Sequence, residues 1–223
     1  MVVELDESPW RVDLQVHPYS KGSEMSKTNR SGQSSCLSKS QLEKFYANLP
    51  EKYSLLAEVL YFSAGRATEI STLRVRNINF DQRLLTIEKS STKTKETRKV
   101  PLHPETLSKV KRWIYDHSLG SDDYIFFTSS RNTSYSPGEK PVSIQSLDQF
   151  FRKAFDWMGV KGASSHSFRR SRLTHLMQQN WNIREIMHIS GHKNLMSLQK
   201  YLESDKSATF EKYNNLMDNE DFS

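Results

Sequence analysis

The apolar positions first fall into helical register at Leu42, Phe45 and Leu49, and Pro50 stops that run. Ser40 and Glu43 have capping-box spacing just ahead of it, so the first helix is expected to begin near Ser40. A longer apolar helix follows in YSLLAEVLYFSAG, residues 53–65. The period then changes from helical to alternating. LLTIEK (84–89) and TRKVPL (97–102), joined by a polar basic turn, read as a β-hairpin. Leu107, Val110 and Ile114 mark another helix, YIFF (124–127) a short buried strand, and Ile144, Leu147, Phe151, Phe155 and Met158 a further amphipathic helix. Beyond Gly162 the periodic segments are all helical: Leu173, Leu176 and Met177, then Ile183, Ile186 and Met187, then a short last one with Phe210, Tyr213 and Met217. The expected fold class is mainly α with a small antiparallel β-sheet, without internal repeats.

Residues 1–37 show no apolar period, and SKGSEMSKTNRSGQSS (20–35) is rich in Ser and Gly, which reads as a flexible polar arm. The organisation expected is that arm, one domain over 38–217 and an acidic tail at 218–223. A length of 223 residues suits one well-buried domain with a short extension.

Charge narrows the partner. The chain carries 32 Lys and Arg against 26 Asp and Glu, and the excess is concentrated: residues 41–217 hold 27 basic and 18 acidic side chains. A basic folded middle favours a polyanion. The single cysteine, Cys36, excludes an intramolecular disulfide and a cysteine-rich zinc site. No apolar run approaches the ~18 residues of a membrane span, and no signal-peptide pattern opens the chain, so no membrane partner and a cytoplasmic, nucleoid-associated location are expected.

Basic residues cluster with glycines or polar turns in SAGRATEI around Arg66, KSSTKTKETRK (89–99) and SSHSFRRSRLTH (164–175), while ISGHKNLMSLQKYLES (189–204) places a His, a Lys and a Tyr close together. Taken singly, such runs are usually solvated faces. A site that cuts a phosphodiester without bound metal needs two guanidinium forks on the non-bridging oxygens, and Arg66 and Arg169 are candidates. His166, three residues before Arg169, would share its helix face and could donate to phosphate or move a proton. No acidic residue lies between Lys161 and Arg184. Tyr201 is a candidate nucleophile on a short polar segment after a Gly-His turn, although a phenol needs cationic help to ionise near neutral pH. His188 and His192 have the four-residue spacing of a zinc pair on a helix, but Gly191 should break that helix and no further ligand completes the set.

HSFR (166–169), GH (191–192) and Tyr201 together resemble the His-x-x-Arg, Gly-His and nucleophilic tyrosine series of the tyrosine recombinase, or phage integrase, family. AGRATEI resembles that family's first-arginine box, with Glu69 as the supporting acid, although glycine stands directly before Arg66 where the family more often has one residue between them. VPL at 100–102 sets the hairpin lysine, seven residues before the valine, at Lys93, with Lys89, Lys95 and Lys99 as rivals.

The resemblance implies a catalytic-domain fold over roughly 38–217 and DNA cleavage and rejoining through a 3′-phosphotyrosyl bond, with no metal and no nucleotide cofactor. It makes Arg66, Lys93, His166, Arg169, His192 and Tyr201 catalytic, and Lys95, Arg98, Arg170 and Arg172 DNA-binding. It also implies double-stranded DNA as partner and a homo-oligomer, a tetramer on DNA, joined through the C-terminal segment. Family members usually carry a separate helical core-binding domain before the catalytic one, where residues 1–37 stand here. Gripping DNA from one side only should weaken affinity and specificity, both of which rest on many phosphate contacts. A type IB topoisomerase-like strand transferase and a catalytically silent DNA-binding relative are the competing readings.

Overall fold

The computed structural model describes residues 34–88, 96–128, 135–199, 210, 213–215, 217 and 218. In chain order the elements are α1 (Lys39–Ala47), α2 (Glu51–Ser63), α3 (Ala67–Ser71), β1 (Ile78–Asn79), β2 (Leu84–Ile87), β3 (Arg98–Pro101), α4 (Pro104–Asp116), α5 (Ile144–Trp157), α6 (Ser165–Gln178), α7 (Ile183–Ser190) and α8 (Leu195–Gln199). The protein is thus mainly helical with a three-stranded antiparallel sheet in the order β1-β2-β3.

The capping box of α1 lies two residues earlier than expected. Ser38 Oγ accepts from the Gln41 backbone N–H, and Gln41 Oε1 accepts from Ser38 N at 2.9 Å. Ser-x-x-Gln and Ser-x-x-Glu both fit the motif, and the core decides between them: Leu37, just outside the cap, and Leu42, in the second turn, are both buried, as in a hydrophobic staple. Leu37 also donates its N–H to Ser171 Oγ at 2.7 Å, and Ser35 N bonds the Gly162 carbonyl at 3.0 Å. Residues 34–37, expected within the flexible arm, therefore pack against the α5–α6 side of the domain.

Helix α2 is buried on nearly every side, through Leu55, Leu56, Ala57, Val59 and Leu60, and packs against α1, α3, α4 and α6. One acid on it, Glu58, is 4% exposed; it accepts from Thr106 Oγ1 at 2.9 Å and Lys109 Nζ at 2.7 Å, so its burial leaves no lone charge. The main core is aromatic at its centre, where Phe45 stacks on Phe155 at 4.5 Å and meets the edges of Phe151 and Phe168. A smaller cluster of Ala64, Leu173, Leu176, Ile186 and Leu198 joins α6, α7 and α8 to the end of α2.

The hairpin forms with Leu85 opposite Val100 and Ile87 opposite Arg98. Its inward face is Leu85, Ile87, Val100 and Arg98, so strand alternation buries a guanidinium beside aliphatic side chains. YIFF differs from expectation. Ile125, Phe126 and Phe127 are buried, but the segment makes only isolated bridges, Arg74 to Tyr124 and Phe127 to Pro141. Its amides bond loop carbonyls, Ile125 N to Leu73 O and Tyr124 N to Gly138 O, in place of a neighbouring strand. Phe210, Tyr213 and Met217 are exposed. No described helix is long and apolar enough to cross a membrane.

Candidate active site

The site begins where α2 ends. Ser63 Oγ donates to Val59 O and accepts from Gly65 N, and Ala64 takes a left-handed conformation with φ 47°. The chain reverses at once into α3, with Arg66 as its N-cap. A Cβ on Gly65 would lie 2.6 Å from Ile70 Cδ1 and 2.8 Å from Ser63 Oγ. The glycine directly before Arg66 is therefore dictated by space, at a turn tight enough to aim the Ala64 carbonyl at Arg169 Nη1, 2.5 Å away.

Glu69 lies one turn into α3 with a fully buried carboxylate. Its Oε1 takes Arg66 Nη1 at 2.8 Å and its Oε2 takes the Arg66 backbone N–H at 2.9 Å. Arg98, from β3, reaches the same two oxygens, Nη2 to Oε2 at 2.6 Å and Nη1 to Oε1 at 3.3 Å. Burial alone would push this carboxyl up, but hydrogen bonds and charge from Arg98, then Arg66, outweigh it and hold the group below its ordinary range.

Helix α6 supplies the second arginine. Ser164 caps it, and Arg169 is 3% exposed while His166, one turn earlier, is exposed. Helix α7 ends at Gly191, whose φ of 70° lets its N–H and that of His192 both return to the Met187 carbonyl. This presents the imidazole to Arg169: Nη2 lies 3.1 Å from Nε2, and Ser190 Oγ lies 2.7 Å from Nδ1. Burial lowers the His192 pKa to about 3, aided by the charges of Arg169, Arg66 and Arg98 and opposed by Glu69. The ring is neutral at neutral pH.

Arg66, Glu69, Arg98, Arg169 and His192 are thus brought together from α3, β3, α6 and the turn after α7. Beside them an open cleft of about 570 Å³ is lined by Arg98, Lys99, Arg184, His188, His192 and Lys193, among others. Lys89, Lys93, Lys95 and Tyr201 lie outside the described residues. Lys99 points away from the buried face of β3. Two of the arginines expected to contact DNA are largely buried, Arg98 at 9% and Arg170 at 4% exposure, and Arg172 lies over the Tyr61 and Phe62 rings at 5.4 and 5.6 Å. Gly191 ends α7 between His188 and His192, so the two histidines do not share a helix face. Among the described residues no group of three or more His, Cys, Asp or Glu side chains is placed to hold a metal ion.

The Ala64 carbonyl and Ser190 were not foreseeable. A carbonyl has no sequence signal, and Ser190 is one serine among many. The Arg98–Glu69 pair had one, since alternation in TRKVPL puts Arg98 on the face of Val100.

The model of the phage integrase family matches residues 35–208, most of the chain. The protein belongs to the phage integrase family. Among curated family members it is 27% identical over 164 residues to a tyrosine recombinase of Pseudothermotoga lettingae, covering 73% of this chain and 53% of that one. It is likewise 27% identical over 168 residues to tyrosine recombinase XerA of Pyrococcus furiosus, covering 74% and 56%. The chain spans about half the length of these relatives. In fold it matches the XerA recombinase crystal structure with a TM-score of 0.67 at 19% identity, over 81% of this chain and 64% of that one. The Tn1549 transposon integrase, solved in complex with transposon right end DNA, matches with a TM-score of 0.66 at 16% identity, over 85% and 68%. The expected family and fold class both hold.

Proposed function

We propose that this domain cleaves and rejoins double-stranded DNA as a site-specific tyrosine recombinase, with Tyr201 as nucleophile. The observation that carries the reading is the convergence of Arg66, Arg169 and His192, drawn from three distant segments, beside a basic cleft. Two guanidinium forks suit the charge that accumulates on the non-bridging oxygens of a five-coordinate phosphorus.

In the proposed reaction Tyr201 loses its phenolic proton to water and the phenolate oxygen attacks phosphorus as the bond to the 5′-oxygen breaks, leaving a 3′-phosphotyrosyl bond. Lys93 gives its proton to the departing 5′-oxygen, and His166 and His192 hydrogen-bond the phosphate. Attack by a new 5′-hydroxyl reverses these steps and reseals the strand. The phosphotyrosyl linkage keeps the energy of the original phosphodiester, so the step calls for no nucleotide. Buried Glu69 keeps Arg66 extended from its N-cap position. The family match over 35–208 and the DNA complex of the Tn1549 relative support the same partner. The exposed Phe210, Tyr213 and Met217 suit docking of the C-terminal segment on another copy in a tetramer.

The test is a labelled duplex nicked just beyond the cleavage position, so that the cut fragment diffuses away. A protein–DNA adduct that survives denaturation and is lost on protease treatment is expected. DNA binding without any adduct, across duplexes bearing varied repeats, would identify the chain as a silent DNA-binding relative.

A further inference from the structure

Arg98 sits where the hairpin leaves the sheet, since the Ile87 and Arg98 pair is the last in the β2–β3 register. In sequence, Lys93 and its rivals Lys89 and Lys95 fall between the two members of this pair. The Arg98 head group is spent on Glu69 through two parallel contacts of 2.6 and 3.3 Å. The same carboxylate holds Arg66. On its other side Arg98 runs under the turn after α7: a Cβ on Gly191 would lie 3.1 Å from both Cδ and Nη1 of Arg98. One side chain therefore touches the hairpin root, the acid that steadies the first arginine, and the residue before His192.

We infer that Arg98 is a positioning residue for strand cleavage, locking the lysine-bearing hairpin to the Arg66–Glu69 pair and to the His192 turn. This rests on the recombinase reading above. A lysine keeps the charge but cannot supply two parallel donors, so Arg98→Lys loosens the lock without removing the cation. Acting through Glu69, Arg98 should matter little once Glu69 is gone. A phosphate contact would matter equally in both backgrounds.

The experiment is a double-mutant cycle in the full chain, with Arg98→Lys, Glu69→Gln and the pair, following single-turnover cleavage of the nicked duplex at saturating DNA and affinity by titration. Arg98→Gln runs in parallel, and rates are taken at a temperature where circular dichroism shows each variant folded. Arg98→Lys is expected to slow cleavage on the order of tenfold or more with affinity changed less than about threefold, and to cost only about twofold in the Glu69→Gln background. Additive costs, or equal losses of affinity and saturated rate, would make Arg98 a duplex contact and overturn the inference alone. If the unaltered chain forms no adduct, the recombinase reading falls and this inference with it.

Discussion

Arg169 Nη2 lies 3.1 Å from His192 Nε2, and Ser190 Oγ lies 2.7 Å from Nδ1 of the same ring. A guanidinium only donates, so the neutral ring accepts from Arg169, whose Nη2 also lies 3.3 Å from Nδ1. Burial, and then Arg169, Arg66 and Arg98, hold its pKa at about 3 against an ordinary 6.5. The unfolded chain therefore binds more protons at this residue between those values, and stability is lost as pH falls from 6.5 toward 3. In His192→Asn this contribution disappears, and the acid-side decline of the urea midpoint should be shallower than in the unaltered protein. His175, whose pKa burial also lowers, acts in both proteins and cancels. Superimposable pH profiles would show that His192 is not held neutral by this surrounding.

Gly191 meets two constraints, a φ of 70° and the Arg98 side chain against its backbone. Alanine there should cost on the order of 1–2 kcal/mol for the left-handed conformation alone, before Arg98 is displaced. Chemical denaturation measures it, and an unchanged midpoint would mean that the turn relaxes freely.

Arg66→Lys and Arg169→Lys retain charge but lose the fork, so each should reduce cleavage on the order of a hundredfold while binding changes far less. Single-turnover cleavage beside an affinity titration separates the two. Parallel losses would mark these arginines as ordinary phosphate anchors.

The first arginine box, the His-x-x-Arg pair and the Gly-His turn were legible because their chemistry needs fixed residue types at fixed spacing. Helices α2, α4 and α5 were legible from apolar period. Helix α8 was not, because it is five residues long and, of its described side chains, Leu195 and Met196 are exposed and Leu198 alone is buried. The two-residue β1 is likewise too short for alternation to register. Arg98 looked like one more basic residue in a basic turn, and only its partner Glu69, 29 positions away and buried, reveals what it does.

Lys93 is separated from its neighbours by the leaving group. A general acid matters when the 5′-oxygen must be protonated and much less when sulfur replaces it. Lys93→Ala should be slow on ordinary DNA and near the unaltered rate on 5′-bridging phosphorothioate DNA. Lys89→Ala, Lys95→Ala and Lys99→Ala should lose only salt-sensitive affinity, indifferent to the sulfur. Rescue of Lys95→Ala in place of Lys93→Ala would move the general acid by two residues.

The central claim is that Tyr201 carries the DNA strand, and Tyr201→Phe tests it by removing only the attacking oxygen. The unaltered protein and the variant are incubated with the labelled nicked duplex, denatured and run on a gel, and the adduct is digested and mapped by mass spectrometry. The expected result is a nucleotide-bearing peptide containing Tyr201 from the unaltered chain, and no adduct from Tyr201→Phe despite nearly intact DNA binding. An adduct that persists in the variant, or one that maps to Tyr213, would contradict it.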